Sequence, residues 1–197
     1  MENPVMQGLS VAFELIVLNI LTILAAFPVV TAGASVTALF DVTGRMVRSE
    51  DLYTARTFMR SLRQNMRKGV VLGLLFIVAA ILIALNYAAA SRFIPVLRFA
   101  SLAIALLVTA LGIYAFGLTA RFENSIALTL KNAAMLTVGF FPRTVILVVF
   151  TLCFYLLAMR FPQVGMPMLM LFGLSIPAYV YALVCRPVFD SLTDRTE

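Results

Sequence analysis

Residues 28–69 read PVVTAGASVTALFDVTGRMVRSEDLYTARTFMRSLRQNMRKG. This segment carries seven of the fifteen Lys and Arg residues of the chain, and strongly apolar sequence flanks it on both sides. Its second part, from Leu52 to Lys68, contains no Gly or Pro and therefore predicts an unbroken helix. Ser49 is the expected N-cap, and Glu50 and Asp51 follow where the positive end of the helix dipole favours acidic side chains.

At 3.6 residues per turn this predicted helix has one apolar face, formed by Leu52, Ala55, Phe58, Met59, Leu62 and Met66. Beside that face runs the arginine row, which we define as Arg56, Arg60, Arg63 and Arg67. The apolar face predicts an interfacial amphipathic helix. Two interpretations of the row remain open: solvated or lipid-binding charges on a lipid-facing helix, or a docking surface for an anionic protein partner.

The first part of the segment predicts helix packing. Pro28 is expected to end or kink the preceding helix, and Thr31 to cap a new one. Gly33 and Ala34 are each followed four residues later by another small residue, Thr37 and Ala38 respectively. Small residues four apart let two helix backbones approach closely in a membrane. We predict tight packing here rather than a ligand site.

The composition is that of a membrane protein. The 197 residues are 62% hydrophobic and only 12% charged, with a mean hydropathy of +1.03, whereas a soluble domain is about half apolar and a quarter charged. The net charge of +6 does not indicate nucleic-acid binding, because the basic residues cluster at predicted membrane boundaries. Two Cys residues form neither a disulfide framework nor a multi-Cys metal site.

We predict an all-α polytopic bundle with five membrane spans, forming a single membrane domain over residues 1–197. A span needs roughly 20 apolar residues, and the candidates are residues 9–27, 70–90, 99–120, 144–159 and 168–185. Short connections are expected at 91–98 and 160–167. Segments 28–69 and 121–143 should contain amphipathic cytoplasmic helices between spans 1 and 2 and between spans 3 and 4.

The distribution of basic residues predicts the orientation. With 28–69 in the cytoplasm, that side holds twelve of the fifteen Lys and Arg residues, and the outside holds Arg92, Arg98 and Arg160. The positive-inside rule then places the N-terminus outside and the C-terminus in the cytoplasm. The N-terminus lacks the positive region of a signal peptide, so the first apolar run is expected to be a retained span.

Several motifs resemble the YesL-like family of small bacterial integral membrane proteins. They are the sequence PVVTAGAS at 28–35 with TAL at 37–39, the segment 58–65, and three short stretches of the second predicted loop, at 121–125, 130–133 and 142–144. The resemblance covers nearly the whole chain, although family members often carry a Trp in the first span and this chain has none. It implies structural roles for Pro28, Thr31, Gly33, Asn65, Arg121, Glu123, Asn132 and Pro142.

The same resemblance implies a bacterial cell-membrane location but no assigned activity. Members of the family are commonly encoded beside carbohydrate importers of the ATP-binding-cassette (ABC) type. The resemblance therefore implies a role near sugar uptake, with importer subunits as candidate partners besides membrane lipid.

No residue pattern indicates catalysis, a cofactor or a metal. The chain has no Walker-type phosphate loop, and the absence of His rules out Ser-His-Asp and Cys-His pairs. We expect that the protein is not an enzyme. Arg121 and Glu123 are expected to form a structural ion pair.

Two polar residues within the first predicted span need an explanation. Glu14 lies near the outer end of span 1, and a charge within a span marks function by default. One interpretation is a paired, structural carboxylate near Asn86, Tyr87, Arg92 and Arg98, and the other is a proton or solute site. Asn19 is expected to form an interhelical hydrogen bond.

These observations favour a non-enzymatic accessory or regulatory component that docks through the arginine row and the second loop, and the resemblance implies that it is linked to carbohydrate import. The alternative is a small solute permease that works as a homo-oligomer, with Glu14, Asn19 and Asn86 lining the path. A shared central polar cavity would favour the permease, whereas a sealed apolar bundle with a charged cytoplasmic face would favour the accessory role.

Overall fold

The computed structural model describes residues 4–48, 50, 53–93 and 96–193, and these residues form helices and connections with no strand. The prediction of an all-α fold is therefore confirmed. The eight helices in this part of the chain are α1 Pro4–Ala26, α2 Ala32–Val47, α3 Thr54–Phe93, α4 Val96–Arg121, α5 Ile126–Gly139, α6 Phe141–Arg160, α7 Pro162–Phe172 and α8 Ser175–Thr193, with a short 3-10 turn at Val29–Thr31.

Four helices are long and apolar enough to cross a membrane: Gly8–Ala26, Thr54–Ala89, Leu97–Arg121 and Phe141–Arg160. A fifth crossing is formed if α7 and the first part of α8 count as one span bent by 62°. Large apolar side chains are exposed along these helices, such as Leu24, Leu82 and Leu156. A soluble monomer rarely exposes such extensive apolar surface. The protein is therefore a multi-pass membrane protein with a polytopic helical bundle.

The last part of the chain differs from the sequence-based prediction. Residues 160–167 were expected to be a link, but α7 begins at Pro162, because proline fits the first turn of a helix. The fifth span, expected at 168–185, lies across α7 and the first part of α8, and the chain bends by 62° at the break between these two helices, at Gly173. Pro177 explains this bend, because it has no N–H to donate to the carbonyl of Gly173 and its ring crowds that carbonyl.

Helix α3 is one continuous element of 40 residues. The amphipathic helix and the second span, which the sequence suggested as separate elements, therefore share one helix that passes through Gly69. Interior Gly costs a helix only about 0.5–1 kcal/mol relative to Ala. The expected connection at 91–98 is also shorter than predicted, since α3 continues to Phe93 and α4 starts at Val96; Pro95 lies outside the described residues.

Helix α2 lies in the middle of the bundle, in contact with α1, α3, α4 and α8. Its small residues allow this position. A Cβ atom added at Gly33 would overlap the backbone of Gly69 and Gly73, so α2 and α3 cross at backbone contact. The predicted close approach through Gly33 is confirmed, and its partners are the two glycines of α3. Side chains from α1, α2, α3 and α8 close one buried cluster around this crossing: Leu18, Ala34, Ala38, Leu39, Val42, Phe58, Leu62 and Ala178.

Candidate functional site

The arginine row lies on the face of α3 that points away from the bundle. All four of its side chains are exposed. The opposite face contains Phe58, which is fully buried, together with Ser61 and Leu62. Counted at 3.6 residues per turn, the row lies roughly 140–200° around the helix from Phe58. The structure thus separates a packing face from a charged face on the same helix.

The apolar face of this segment does not form one lipid-facing surface, as an interfacial helix would require. Phe58 and Leu62 pack into the cluster with α2, while Met59 and Met66 are 43% and 37% exposed. The prediction of an interfacial amphipathic helix is corrected, because Phe58 and Leu62 of the apolar face are buried against α2 and do not face lipid. Helical periodicity identifies an apolar face but does not identify the surface that covers it.

The start of α3 also differs from the expected capping. The helix begins at Thr54, and the predicted N-cap Ser49 lies outside the described residues, as do Asp51 and Leu52. Glu50 accepts a hydrogen bond of 2.8 Å from Arg48 Nε and also pairs with Arg45 at 3.6 Å. Its carboxylate therefore neutralises the arginines at the end of α2 rather than the first turn of α3.

Besides its contact with Glu50, Arg45 forms an ion pair of 3.0 Å with Asp41, one turn earlier on α2. Burial by itself lowers the pKa of Arg45, but the hydrogen bond and charge of Asp41, with the charge of Glu50, outweigh burial and raise that pKa above its ordinary value. The guanidinium of Arg45 therefore stays positively charged at any physiological pH.

A small cleft opens beside these residues at the same end of the bundle. We call it the end cleft. It has a volume of about 40 Å³ and lies between α2, α4 and α8. Its charged lining residues are Asp41, Arg48, Arg121 and Arg186, and Tyr181, Gly44 and Gly117 form part of its wall. Three segments that the sequence assigned to one side of the membrane thus meet at one place.

A second polar cluster surrounds the bend between α7 and α8. Asn19 is fully buried. Its Nδ2 donates to the carbonyl of Met170 at 2.8 Å, and its Oδ1 accepts from the N–H groups of Leu174 at 2.8 Å and Ser175 at 3.2 Å. The interhelical hydrogen bonding expected of Asn19 is present, and it satisfies backbone groups that the bend releases from helical bonding.

Glu14 and Asn86 have different surroundings. Glu14 is half-buried on α1 and has no hydrogen-bond or ion-pair partner among the described residues. Of its expected neighbours, the side chain of Arg92 lies outside those described. Asn86 is exposed on α3 and accepts a hydrogen bond of 3.0 Å from the hydroxyl of Ser101 on α4. The three residues of the suggested solute path thus have no hydrogen-bond partner in common.

Of the motif residues at the start of the segment, Pro28 acts as predicted, whereas Thr31 does not form the expected cap. Helix α1 ends at Ala26, two residues before Pro28, as the proline predicts. Thr31 precedes α2 at the N-cap position, but its hydroxyl makes no cap bond and donates instead to the carbonyl of Ala25 at 2.6 Å. Thr31 therefore links the 3-10 turn at Val29–Thr31 to the end of α1 by a hydrogen bond. Asn65 Nδ2 donates to the carbonyl of Ser61 within α3.

The motif residues of the second loop lie around α5. The ion pair expected between Arg121 and Glu123 does not form in the described part of the chain, where Glu123 is exposed and Arg121 lines the end cleft. Asn132 is half-buried on α5, and Pro142 is exposed in the first turn of α6. Helix α5 is apolar, whereas the sequence predicted an amphipathic helix in segment 121–143.

Sequence reasoning overlooked Asp41, Arg48, Arg186 and Tyr181 of the end cleft, and also Tyr155, whose hydroxyl donates to the carbonyl of Gly173 at 2.8 Å. Pro177 could have indicated a residue such as Tyr155. Because Pro177 has no N–H group, the carbonyl of Gly173, four residues earlier, must accept a hydrogen bond from another donor. Arg48 and Arg186 were recognised only as basic residues near a membrane boundary.

Among the described residues no group of three or more Cys, Asp or Glu side chains could hold a metal ion. Both cysteines are free: Cys153 is exposed on α6, and Cys185 is buried on α8.

Comparison with known proteins matches part of the chain to a family of unknown function. The model of a family described as "Protein of unknown function, DUF624" matches residues 15–87, which is less than half of the chain. The matched part contains the second half of α1, all of α2 and most of α3, including the glycine crossing and the arginine row. The chain is thus similar to this family, whereas the finer resemblance to the YesL-like family stays a prediction. No curated protein and no solved structure matches the chain.

Proposed function

We propose that the protein is a non-enzymatic accessory or regulatory component of the bacterial cell membrane, which docks a protein partner through the arginine row. The observation that carries this proposal is the position of the row on α3. All four guanidinium groups are exposed, on the face opposite the buried Phe58. A helix face that is not used for internal packing is available to a partner.

The length of α3 favours a protein partner over the lipid surface. Forty residues span about 60 Å at 1.5 Å per residue, whereas the hydrocarbon core of a bilayer is about 30 Å thick. The basic end of α3 therefore extends beyond the hydrocarbon core as a continuation of the same helix. From Arg56 to Arg67 the row rises by about 16 Å along that helix. A flat lipid surface is poorly matched to such a row, whereas a protein presenting carboxylates can pair with each guanidinium in bidentate geometry.

The partner proposed is a membrane subunit of a carbohydrate importer of the ABC type, which rests on the resemblance to the YesL-like family. In the same proposal the arginine row, the end cleft and the C-terminus face the cytoplasm, and the N-terminus lies outside, as the distribution of Lys and Arg predicts. We propose no transport by the chain itself. The side-chain amide of Asn19 is hydrogen-bonded to the backbone at the α7–α8 bend, and Asn86 accepts a hydrogen bond from Ser101. These contacts do not favour a polar path through the bundle.

The test compares three forms of the protein: the parent, a fourfold Arg→Lys variant of the row, and a fourfold Arg→Gln variant. Each is co-expressed with the membrane subunits of a carbohydrate importer from the same organism, and co-purification is quantified in mild detergent. Arg160→Gln is the matched control, because Arg160 is an exposed arginine at the end of α6. Folding of each form is checked by its thermal unfolding midpoint.

We expect capture to fall in the Lys variant and to be lost in the Gln variant, with the Arg160→Gln control like the parent. Lys keeps the charge but cannot reproduce the planar fork of Arg. Equal capture by the Lys variant and the parent, with loss only in the Gln variant, would make the row a general electrostatic anchor. Equal capture by all three would show that the row is a solvated face and that the docking proposal is wrong.

A further inference from the structure

Two spaces between the helices adjoin at one residue of α4. The first, which we call the α3–α4 groove, has a volume of about 330 Å³, and its lining includes Ala80, Ala84, Tyr87, Ser101 and Ala105. The second, which we call the bend cavity, has a volume of about 140 Å³ and lies between α2, α4, α6 and the α7–α8 bend. Its walls include Leu39, Ile113, Leu147, Thr151, Leu174 and Pro177. Thr109 lines both spaces, so the groove leads to the cavity.

The hydroxyl groups in the wall of the bend cavity are engaged by the protein itself. Thr109 and Thr151 each donate to the carbonyl four residues earlier in their own helix, at 2.8 Å. Tyr155 donates to the backbone at the bend, also at 2.8 Å, and the hydroxyl of Tyr181 interacts with the thiol of Cys185. The described wall contains no acidic or basic side chain. A buried water needs two to four polar partners, so the cavity suits an apolar group better than water, an ion or a sugar.

The size and depth of the bend cavity indicate which apolar group fills it. Its volume of about 140 Å³ is close to the roughly 150 Å³ of an engineered apolar cavity in another protein, which stays dry and binds benzene. If the cavity were empty, its walls would lose the dispersion contacts that a filling group provides. Thr109 and Ile113 lie in the middle of the candidate span Leu97–Arg121, at the depth where lipid acyl chains are the abundant apolar groups.

The α3–α4 groove provides a route to the cavity from the membrane surface. At one end of it Ser101 donates a hydrogen bond of 3.0 Å to Asn86, and Tyr87 lies near the end of the candidate span Thr54–Ala89. Tyr is enriched at the membrane–water interface, so this end lies at the level of the headgroups. From Ser101 to Ile113 α4 rises by about 18 Å, and half of a hydrocarbon core is about 15 Å thick. Groove and cavity together therefore match the length of one acyl chain.

We propose that the α3–α4 groove and the bend cavity together bind one acyl chain of a membrane phospholipid. The methyl end of the chain lies in the bend cavity, against Leu174 and Pro177, and the headgroup lies near Tyr87. The chain thereby fills a space beside the α7–α8 bend that no protein side chain occupies. This site lies apart from the arginine row and does not depend on the docking proposal.

The experiment uses the full chain in detergent, incubated with phosphatidylglycerol that carries a photoactivatable diazirine on one acyl chain. In one probe the diazirine is at the methyl end, and in the other it is next to the ester group. After illumination, mass spectrometry locates the labelled residues. The competitors are unlabelled phosphatidylglycerol, lysophosphatidylglycerol, which has a single chain, and glycerophosphoglycerol, which is the same headgroup without a chain.

We expect the methyl-end probe to label the walls of the bend cavity, such as Ile113 and Thr151. The ester-end probe should label the groove near Tyr87 and Ser101. Both competitors that carry an acyl chain should displace the label, because the apolar chain is what the site binds. Glycerophosphoglycerol should not displace it.

Two variants reduce the space without changing any charge. Thr151→Phe fills the bend cavity from α6, and Thr109→Phe closes the junction of groove and cavity from α4. Both should lose the displaceable labelling of the cavity walls. The matched controls are Ile146→Phe on α6 and Ile104→Phe on α4, which enlarge exposed side chains on the same two helices and should be labelled like the parent.

The proposal is overturned if unlabelled phosphatidylglycerol does not displace the label, if glycerophosphoglycerol does, or if both filling variants are labelled like the parent. Equal losses in the controls and the filling variants would also overturn it. If the label is absent and Thr109→Phe converts a dimer in detergent into a monomer, a second copy of the chain covers the groove and the proposal is wrong. If a variant does not fold, the position and displacement of the label in the parent decide.

Discussion

The hydroxyl of Tyr155 on α6 donates a hydrogen bond of 2.8 Å to the carbonyl of Gly173, at the bend between α7 and α8. In a regular helix that carbonyl would accept from the N–H of residue 177, which is a proline here. Tyr155 thus replaces the donor that Pro177 lacks. Together with Asn19, it satisfies the backbone at a bend in an apolar helix pair, where an unpaired polar group is costly.

Removal of either side chain at the bend should destabilise the protein. We expect Tyr155→Phe to cost about 1 kcal/mol, the value of one net hydrogen bond, and Asn19→Leu to cost about 1–3 kcal/mol, because it leaves buried backbone groups unpaired. At about 2–4 °C per kcal/mol for a chain of this size, thermal unfolding in detergent resolves both. Tyr87→Phe, on the exposed part of α3, is the control and should unfold like the parent. A parent-like midpoint for Asn19→Leu would contradict this role.

The glycine crossing of α2 and α3 should not tolerate a single methyl group. Gly33→Ala places a Cβ atom onto the backbone of Gly69 and Gly73, which cannot give way as a flexible side chain could. We expect a loss of about 1–3 kcal/mol from overpacking, measured as a lower unfolding midpoint. Gly8→Ala is the matched control, because no atom lies within 4 Å of its added Cβ. The control should equal or slightly exceed the parent in stability, and equal midpoints for both variants would rule out the close crossing.

The packing of α3 against α2 predicts unequal effects at two neighbouring apolar positions. Phe58→Ala should cost about 3–5 kcal/mol, because the side chain is fully buried against α2. Met59→Ala should cost under about 1 kcal/mol, because Met59 is 43% exposed. Both are measured by thermal unfolding in detergent. If this segment instead lay on lipid with Phe58 and Met59 side by side, the two changes would have similar effects.

The distribution of basic residues predicts the orientation of the chain in the membrane. In a variant whose two cysteines have been replaced by alanine, we expect a new cysteine at Glu2 to react with an impermeant thiol reagent added outside intact cells. A new cysteine at Thr196 should react only after the cells are opened. Both positions lie outside the described residues. The reverse pattern of labelling would invert the proposed topology.

Local properties of the sequence were sufficient to predict the all-helical fold and most of the candidate spans. The composition was sufficient to predict a membrane protein. Local properties also determined the arginine row, because its spacing follows from 3.6 residues per turn, and the close approach at Gly33, because only small residues permit it. Such features depend on residues within about one turn of each other. The bend at Gly173 could also have been anticipated from Pro177, since the missing donor acts four residues away.

Only the tertiary structure decided which surfaces these helices use. Asn19 is hydrogen-bonded to the carbonyl of Met170, which is 151 positions away in sequence, and Arg186 to the carbonyl of Val47, which is 139 positions away. Likewise, α2 proved to be the central helix and covered Phe58, although the sequence alone allowed that face to lie on lipid. The reason is physical: periodicity specifies which side chains share a face, but the partner of that face depends on how distant helices pack together.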